Sequence, residues 1–398
     1  MTVVYRLIQT LLKTLSPWLP WREPLALEGV DAALDVPALL QARQASRILF
    51  FTDTSVHALE ATQTLLRQLN AADLDITVID ATTPNPTTSL IDSIVAHITP
   101  PYDAMISLGG GSVIDTAKAT AVAIAKPRAT LYQLRGHFKV RKKLLFHIAI
   151  PTTAGSGSEA TVATVLTEPV HERKFALMDL VLIPDVAVLD PVFQMHLPSS
   201  IAAMTGMDAL THAIEAYLSR SATAQTNAWA LEAVRTLMTS LEHSVKHPSD
   251  LAARLSIQKA AYRAGCAFTR VYVGYVHALS HPLSALYHTP HGLANACLLP
   301  VVLKQYGSVI EPKMADIALT LQLPFDFPQE ASRVVIEHIE SLHQRLGLPT
   351  TLNGLKTSDY DRLIGFAKQE VIPSYPVPRY LSKHDMIACY DAVRHKGE

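Results

Sequence analysis

Short apolar runs alternate with amphipathic segments over residues 46–195, and this pattern predicts alternating strands and helices. Runs rich in strand-forming side chains lie at 47–52, 75–80, 104–107 and 144–150. Apolar positions recur at helical spacing at 55–69 and from 113 to about 125. Such alternation is typical of a doubly wound, Rossmann-like parallel sheet, in which ligands bind at the carboxyl ends of the strands.

The pattern changes near residue 195, after which strand signals become scarce. Leu197-Pro-Ser-Ser200 has the composition of a helix start, and the chain that follows is rich in Ala and Leu at helical spacing. We therefore predict an α/β N-terminal domain at 46–195 and an all-α C-terminal domain at 196–398.

Residues 1–45 are expected to be an N-terminal extension that begins with an amphipathic helix. Its apolar positions follow helical spacing at Val3, Val4, Leu7, Ile8, Leu11, Leu12 and Leu15. Arg6, Gln9 and Lys13 interrupt them, which argues against a signal peptide or a transmembrane span. We expect the helix to pack on its own domain or on a second subunit. The alternative is that it binds a membrane surface or another protein, and the nearby Trp18 and Trp21 keep this alternative open.

The composition is that of a globular protein and argues against several classes of partner. Of the 398 residues, 49% are apolar and 17% are charged, and the net charge is −1. No basic field invites nucleic acid, and no acidic excess indicates disorder. Cys266, Cys297 and Cys389 are widely spaced and form no CxxC pair, which fits a reducing compartment. We therefore expect a cytoplasmic protein.

Four histidines lie within one apolar stretch at 276–300, namely His277, His281, His288 and His291. Imidazole is the commonest metal ligand in proteins, and packing alone does not explain four of them in so short a segment. The stretch lacks the carboxylate or thiolate that usually completes a metal site. A further ligand must therefore come from another part of the chain.

Asp208 on a predicted helix can supply the missing carboxylate, and His212 lies one turn further on the same helix. Residues at i and i+4 lie on one helix face, so both side chains can bind one ion. The segment is otherwise apolar, where an unpaired aspartate is costly. A helix cap or a buried Asp–His hydrogen bond is the alternative, but the histidines of the later stretch favour a metal.

Two polar loops follow predicted strands and are candidates for ligand binding. Gly109-Gly-Gly-Ser112 lies between a strand and a helix, where backbone N–H groups and the helix dipole can hold a phosphate. The second loop contains Thr152, Thr153, Ser156 and Ser158. Two such loops on one parallel sheet suit an extended ligand such as a dinucleotide, although each alone could be a structural turn.

Asp53 stands at the end of the first predicted strand of the α/β domain. A carboxylate at this place can accept hydrogen bonds from a ribose 2′-hydroxyl and repel a 2′-phosphate. A lone aspartate after a strand also commonly caps the following helix. Both roles are compatible with one residue.

Four motifs stand out along the chain, namely GGGSVIDTAK at 109–118, PTTAGSGSEAT at 151–161, GMDALTHAIEAYLS at 206–219 and HALSHPLSALYHTPHGLANACLLP at 277–300. In their order and spacing they resemble the iron-containing (group III) alcohol dehydrogenase family. The resemblance covers about residues 45 to 370, and the last two motifs are highly specific. It implies a dehydroquinate synthase-like fold, with a dinucleotide-binding α/β domain, a helical metal domain and an active-site cleft between them.

The resemblance also implies roles for individual residues. The metal ligands are expected to be Asp208, His212, His277 and His291. His281 is expected beside the metal and the nicotinamide as a catalytic group without being a ligand, and His288 matches no ligand position. The cofactor contacts are expected at Asp53, Asn85, Gly110, Gly111, Ser112, Asp115, Thr152, Thr153, Ser156, Thr161 and Lys174. Asp53 favours NAD over NADP.

The function implied by the resemblance is that of a metal-dependent, NAD-linked alcohol dehydrogenase or aldehyde reductase. Hydride passes between a primary alcohol, or an aldehyde, on the metal and the nicotinamide, while the metal acts as a Lewis acid. The resemblance favours Fe²⁺, although three nitrogens and one oxygen suit Zn²⁺ equally. The alternatives are a zinc-dependent polyol or glycerol dehydrogenase, a dehydroquinate-synthase-like lyase on the same fold, and a non-catalytic scaffold.

The substrate is the least determined part of this prediction. Phe268 is expected to line the substrate pocket with Ala163 and Val273, and the small Ala163 predicts room for more than a short diol. The Asn-Pro-Arg-like segment of the family is replaced here by Tyr375-Pro-Val-Pro-Arg379. We expect a small-molecule alcohol or aldehyde as partner, no nucleic acid, no transmembrane span, and a homodimer or higher homo-oligomer.

Overall fold

The computed structural model describes residues 6, 9–10, 13–14, 18–169 and 173–395, which cluster into two compact units. One unit comprises Pro20–Leu197 and Pro248–Gln258. The other comprises Pro198–His247 and Lys259–Glu398, together with the described residues of Met1–Leu19.

The first unit is built on a parallel sheet. Its strands are β1 (Leu25–Glu28), β2 (Arg47–Phe51), β3 (Asp75–Ile79), β4 (Ala104–Gly109), β5 (Gly136–His137), β6 (Phe146–Pro151), β7 (Ala163–Glu168), β8 (Arg173–Met178) and β9 (Val186–Leu189). Six of them form one sheet in the order β1-β9-β6-β4-β2-β3, and every neighbouring pair is parallel. The strands β5, β8 and β7 form a small second sheet, in which β7 and β8 are antiparallel.

Helices cover both faces of the large sheet. They are α1 (Val36–Ala42), α2 (Thr54–His57), α3 (Glu60–Ala71), α4 (Thr88–His97) and α5 (Gly111–Ala125). Alternate strand residues point to opposite faces, so Phe50 packs with Leu40 and Leu65, whereas Phe51 packs with Ile94 and Val113. A sheet buried on both sides explains why the strands read as continuous apolar runs.

The second unit is helical. Its helices are α6 (Ser199–Leu218), α7 (Ala224–Lys246), α8 (Leu251–Val271), α9 (Tyr275–Leu286), α10 (His291–Tyr306), α11 (Glu311–Thr320), α12 (Pro328–Arg345), α13 (Tyr360–Ser374) and α14 (Lys383–Val393), of which α8 begins within the first unit. Helix α6 is buried at every position from Gly206 to Leu218, which makes it the central helix of the unit. The predicted α/β domain followed by an all-α domain is confirmed.

The division of the chain differs from the expected one in its N-terminal part. The segment that forms β1 and α1 lies within the expected extension 1–45, but it belongs to the sheet-containing unit. The reason is that β1 pairs with β9, which brings Leu27 opposite Val188. A pairing between segments so far apart in the chain is not visible in a local pattern.

The predicted N-terminal helix is described only in part. Arg6, Gln9, Thr10, Lys13 and Thr14 are helical. Its predicted apolar positions, Val3, Val4, Leu7, Ile8, Leu11, Leu12 and Leu15, lie outside the described residues.

One helical stretch among the described residues, His291–Thr320, is long and apolar enough to cross a membrane. Within the fold, 61% of its most apolar window is buried. Core helices of folded domains commonly have this combination of length, hydropathy and burial.

Candidate metal centre and cofactor-binding edge

Three helices of the second unit carry the predicted metal ligands. Asp208 and His212 lie one turn apart on α6, His277 lies near the start of α9, and His291 is the first residue of α10. Helix α10 approaches α6 closely because the residue after His291 is glycine, and a side chain there would collide with a backbone carbonyl of α6. The donors are therefore positioned by packed helices rather than by loops.

Asp208, His277 and His291 converge on one point. The Oδ1 atom of Asp208 lies 3.7 Å from Nε2 of His277 and 3.6 Å from Nε2 of His291. One donor atom of each residue lies within 4.8 Å of the other two. Asp208 and His277 are buried, whereas 34% of the His291 side chain is exposed, so the group is reachable from one side.

Glu215, which no sequence pattern identified as a site residue, orients His277. Its Oε2 atom lies 2.6 Å from Nδ1 of His277 and also accepts from the Gly274 N–H at 2.9 Å, while Oε1 accepts from the Val276 N–H at 2.7 Å. Because Nδ1 is committed to Glu215, Nε2 is the nitrogen that faces Asp208. A sequence signal existed, since Glu215 follows Asp208 by about two helical turns and shares its face.

The electrostatics of the centre favour an ionised Asp208 and a proton on His277 when no cation is bound. Burial opposes ionisation of Asp208, but the imidazoles of His212, His291 and His277 outweigh it and lower the pKa of Asp208. Burial also acts against the charge of His277, but Asp208 and Glu215 raise its pKa to about 9. A metal ion takes the place of such a proton, because a nitrogen ligand must be unprotonated.

Asn295, one turn after His291 on α10, contacts all three donors. Its Nδ2 atom lies 2.6 Å from Oδ1 of Asp208, 3.1 Å from Nε2 of His277 and 3.2 Å from Nε2 of His291. Its Oδ1 atom is buried and has no hydrogen-bond partner among the described residues. One carboxylate oxygen and two imidazole nitrogens around a single amide nitrogen form a donor set that fits a divalent cation.

His212, the fourth predicted ligand, lies beside this group without contributing a donor atom to it. Its buried ring stacks on the His277 ring, with centroids 4.4 Å apart, and on the Phe268 ring, with centroids 4.2 Å apart. Phe268 of the predicted substrate pocket therefore lies next to the metal centre. Val273 of the same predicted pocket lines a cavity of about 10 Å³ with Glu215. The role of His212 as a ligand stays a prediction.

His281 lies one turn after His277 on α9. Its ring centroid is 5.8 Å from that of His277 and 5.2 Å from that of His291. Its Nδ1 atom lies 2.7 Å from Oε2 of Glu370, and about one third of each side chain is exposed, 31% and 33%. An imidazole beside the metal donors, backed by a carboxylate and open to solvent, can carry a proton. His288 is exposed and stands outside the donor group.

The two predicted cofactor loops leave adjacent strands of the large sheet at the same level. Gly109 ends β4 directly opposite Pro151 at the end of β6. The loops are so close that a Cβ atom on Gly111 would lie 2.7 Å from the Ser156 hydroxyl. No described side chain caps α5, so the N–H groups of its first turn can bind a phosphate. The predicted contacts placed on these loops are Gly110, Gly111, Ser112, Thr152, Thr153 and Ser156.

Asp53 lies at the end of β2, which neighbours β4 in the sheet. Its Oδ1 atom accepts hydrogen bonds from the N–H groups of Ser55 at 2.9 Å and Val56 at 3.0 Å, so Asp53 caps α2. The capping role is confirmed, and the proposed contact with ribose stays a prediction. Because β2, β4 and β6 are parallel neighbours, their loops share one edge of the sheet.

Three other residues that are predicted to contact the cofactor already form hydrogen bonds with protein groups. The Lys174 ammonium donates to Oδ1 of Asn85 at 2.7 Å. The buried Asp115 accepts from the Ser158 hydroxyl at 2.7 Å and from the Val165 N–H at 3.0 Å, and burial raises its pKa. Asp115 thus ties the start of α5 to the second loop and to β7.

Lys118, the last residue of the first motif, is fully buried, and its place in the sequence predicted no role for it. Its ammonium donates to the carbonyls of Ser158, Thr161 and Ala163 at 2.7, 2.9 and 2.9 Å. Burial lowers its pKa to about 8. Lys118 therefore fixes the loop that carries the predicted cofactor contact Thr161 and the predicted pocket residue Ala163.

Family models match both parts of the chain. A model described as iron-containing alcohol dehydrogenase matches residues 25–191. A second, described as the C-terminal part of the Fe-containing alcohol dehydrogenase family, matches residues 202–393. Together they span the sheet, both cofactor loops and the helices of the metal centre.

Individual relatives agree with the family models. A probable alcohol dehydrogenase, EutG, of Salmonella typhimurium is 36% identical over 81% of this chain and 81% of its own length. The lactaldehyde reductase of Escherichia coli strain K12 is 32% identical over 86% of this chain and 91% of its own. A crystal structure of 1,3-propanediol oxidoreductase superimposes with a TM-score of 0.89 and 31% identity, covering 93% of this chain and 98% of that one.

Proposed function

The chain belongs to the iron-containing alcohol dehydrogenase family, and on this premise we propose that it transfers hydride between a primary alcohol, or the corresponding aldehyde, and NAD. Both directions are supported by relatives, one named an alcohol dehydrogenase and one a lactaldehyde reductase. The family membership favours this reaction over the zinc-dependent polyol dehydrogenase and the lyase alternatives.

The observation that carries the proposal is the convergence of Asp208, His277 and His291 within 4.8 Å, with His277 oriented by Glu215 at 2.6 Å. These residues would hold a divalent ion, with His212 as the fourth expected ligand. A non-catalytic scaffold has no need for such a donor set. The family favours iron, and the same nitrogen and oxygen donors also suit zinc.

In the proposed reaction, bound metal and NAD supply the Lewis-acid and hydride-accepting chemistry. The residues of the chain orient the reactants and move the proton. When an alcohol is oxidised, its hydroxyl proton must leave a largely buried centre. His281, hydrogen-bonded to Glu370 and one-third exposed, is the group beside the donors that can carry that proton to solvent.

The cofactor-binding edge supports NAD as the electron acceptor. The uncapped start of α5 suits the pyrophosphate, and the loop after β6 offers hydroxyl groups. Asp53 would accept hydrogen bonds from the ribose 2′-hydroxyl and repel the 2′-phosphate of NADP.

We further propose primary alcohols larger than a short diol, and their aldehydes, as substrates, with Phe268 lining the pocket beside His212. Ala163 and Val273 are the other proposed pocket residues. A homodimer or higher homo-oligomer and a cytoplasmic location complete the proposal, and the three buried cysteines, which form no disulfide, support a reducing compartment.

The decisive experiment is anaerobic reconstitution with Fe²⁺, Zn²⁺ or Mn²⁺, followed by NADH formation from a panel of alcohols. The panel runs from ethanol and 1,3-propanediol to 1-hexanol, which also tests the room predicted from Ala163. We expect turnover with Fe²⁺ and at least one primary alcohol. Binding of both metal and NAD without turnover of any alcohol or aldehyde would refute the proposed reaction.

Cofactor choice is tested with Asp53→Asn, which removes the negative charge but keeps an oxygen that can cap α2. We expect the ratio of kcat/KM for NADP to that for NAD to rise about tenfold, which corresponds to about 1.4 kcal/mol. The thermal midpoint should stay close to that of the parent protein. An unchanged ratio would remove Asp53 from cofactor selection.

A further inference from the structure

The polar side chains of the N-terminal helix bind the segment that follows α13. The Arg6 guanidinium donates to the Val377 carbonyl at 2.8 Å, and the Gln9 amide donates to the Tyr375 carbonyl at 2.9 Å. Gln9 is 6% exposed, and it also contacts the Tyr380 hydroxyl at 3.2 Å. Arg6 lies over the Tyr380 ring, 4.2 Å from its centroid. Both residues therefore face the protein rather than solvent or a lipid surface.

The segment at 375–380 depends on such contacts because it has no regular backbone pairing of its own. Helical backbone angles end at Ile372, and the prolines at 376 and 378 have no N–H to donate. Its carbonyls instead accept from Arg6, from Gln9 and from the Arg220 N–H, which donates to Pro376 at 2.8 Å, and the Tyr375 carbonyl also accepts from the Val377 N–H at 2.9 Å. The N-terminal helix supplies two of these four partners.

Through Glu370, the same segment is connected to His281, the proposed proton carrier beside the metal centre. The Tyr375 hydroxyl donates to Oε2 of Glu370 at 3.2 Å, and that oxygen lies 2.7 Å from Nδ1 of His281. Burial and the nearby Glu370 raise the pKa of Tyr375 well above its usual range, so its hydroxyl remains a donor. A continuous line of hydrogen bonds thus runs from Gln9 through the backbone and side chain of Tyr375 to Glu370 and His281.

We propose that Arg6, Gln9 and Tyr375 are positioning residues, which hold Glu370 against His281 and keep the proton of the neutral imidazole on Nδ1. This inference rests on the proposed role of His281 as proton carrier. The other ring nitrogen, Nε2, is then the one that exchanges a proton during the reaction. Residues before 25 lie outside the matches to both family models, whereas Glu370 and Tyr375 lie within one of them.

Three variants test the line of contacts at its two ends. Tyr375→Phe removes only a hydroxyl, and Gln9→Met and Arg6→Met remove the donors while keeping side-chain length. Thr10→Val is the control, because the exposed Thr10 hydroxyl donates to the carbonyl of Arg6 within the same helix. We expect kcat to fall about three- to tenfold in Tyr375→Phe and Gln9→Met, as loss of one hydrogen bond implies. The KM for NAD and the metal content should be unchanged.

The direct readout is the protonation site of His281 in the metal-free protein. Histidine labelled with ¹⁵N shows which ring nitrogen carries the proton, and the signal of His281 is assigned by its loss in His281→Ala. We expect a proton on Nδ1 in the parent protein and in Thr10→Val, and a mixture of the two tautomers in Tyr375→Phe and Gln9→Met. The solvent deuterium isotope effect on kcat should rise in the same variants.

An unchanged His281 tautomer in Tyr375→Phe overturns the contact with Glu370 as a positioning device. If the His281 tautomer changes in Tyr375→Phe but not in Gln9→Met or Arg6→Met, the N-terminal helix has no role in positioning His281. Gln9→Met and Arg6→Met could also lower the thermal midpoint while the His281 tautomer and the isotope effect stay as in the parent protein. The helix would then only stabilise the fold, and the proposal would be refuted. If the parent protein oxidises no alcohol, the proposed function fails, while the tautomer measurement on metal-free protein still decides this inference.

Discussion

The metal centre and the cofactor-binding edge are built in opposite ways. At the edge, glycines, hydroxyls and backbone N–H groups come from loops between strands and helices, and the charged residues Asp115 and Lys174 already hold protein partners. At the metal centre, side chains of packed helices turn acceptor atoms toward one another, with the amide of Asn295 among them.

The two regions therefore place different requirements on their ligands. The edge is complete without cofactor, since its carboxylates and ammonium groups are satisfied, and it offers space and backbone donors. The metal centre places one carboxylate and two imidazoles together, one acceptor more than the two amide hydrogens of Asn295 can satisfy, so a proton or a cation between them is favourable. At the metal centre, substitutions should therefore weaken metal binding when they change a charge or remove a ligand atom. At the cofactor-binding edge, they should weaken cofactor binding when they fill the space between the loops.

The largest effect is expected from removing one donor. His277→Ala should abolish metal binding and lower kcat at least about a thousandfold, because the remaining donors cannot replace a buried ligand and its Lewis-acid chemistry. Metal content by mass spectrometry and NADH formation measure both effects. His288→Ala is the matched control, since His288 lies in the same stretch but is exposed, and it should keep full metal content. Full metal content in His277→Ala would refute the assigned centre.

Metal binding at the centre should depend on pH, because the ion competes with a proton. The pKa of His277 is raised to about 9, so at pH 7 the metal-free centre holds a proton that the ion must displace. Affinity should therefore rise with pH up to about 9, by up to about tenfold per pH unit, and level off above it. Calorimetry in buffers of different ionisation enthalpy counts the released proton. NAD affinity should lack this dependence, and pH-independent metal binding would contradict the raised pKa.

A smaller effect on metal affinity is expected from Glu215, which binds the donor residue His277 without being a metal ligand itself. Glu215→Gln keeps the size of the side chain but replaces one carboxylate oxygen by an N–H₂ group, so at least one of three donors, the N–H groups of Gly274 and Val276 and Nδ1 of His277, loses its acceptor. We expect a metal affinity about 10- to 100-fold weaker, the usual result of losing such a partner. Titration with Zn²⁺ against a competing chelator measures it. Glu242→Gln, at an exposed ion pair with Lys246, should leave affinity unchanged.

The sequence predicted those parts of both regions that are local in the chain. The loops after β4 and β6 follow from strand-glycine-helix order, and the placement of Asp208 and His212 one turn apart on one helix follows from helical spacing. Glu215 was missed although it shares the face of Asp208, because its partners lie on α9 and nothing local connects the two helices. Asn295 was missed for the same reason.

The N-terminal part shows the same limit in another form. Arg6 and Gln9 interrupt an apolar pattern, which in sequence indicates a solvent-facing side, yet Gln9 is buried against the segment after α13. Periodicity identifies a helix but not the surface that receives each face. Similarly, β1 was placed in an extension because its partner β9 is remote in the chain.

The smallest effect is expected at the cofactor-binding edge, where space is the sensitive quantity. Gly111→Ala would place a Cβ atom 2.7 Å from the Ser156 hydroxyl, which must then move and lose its contact with the Ser158 N–H at 3.3 Å. We expect NADH to bind about three- to tenfold more weakly, the cost of one displaced hydrogen bond, with metal affinity unchanged. Gly365→Ala on α13 is the control, since a Cβ atom there meets open space and should stabilise the helix by about 0.5–1 kcal/mol. Fluorescence titration with NADH decides the matter. Parental affinity in Gly111→Ala would mean that the two loops do not close on the cofactor, and the contrast between a region governed by space and one governed by charge would fail.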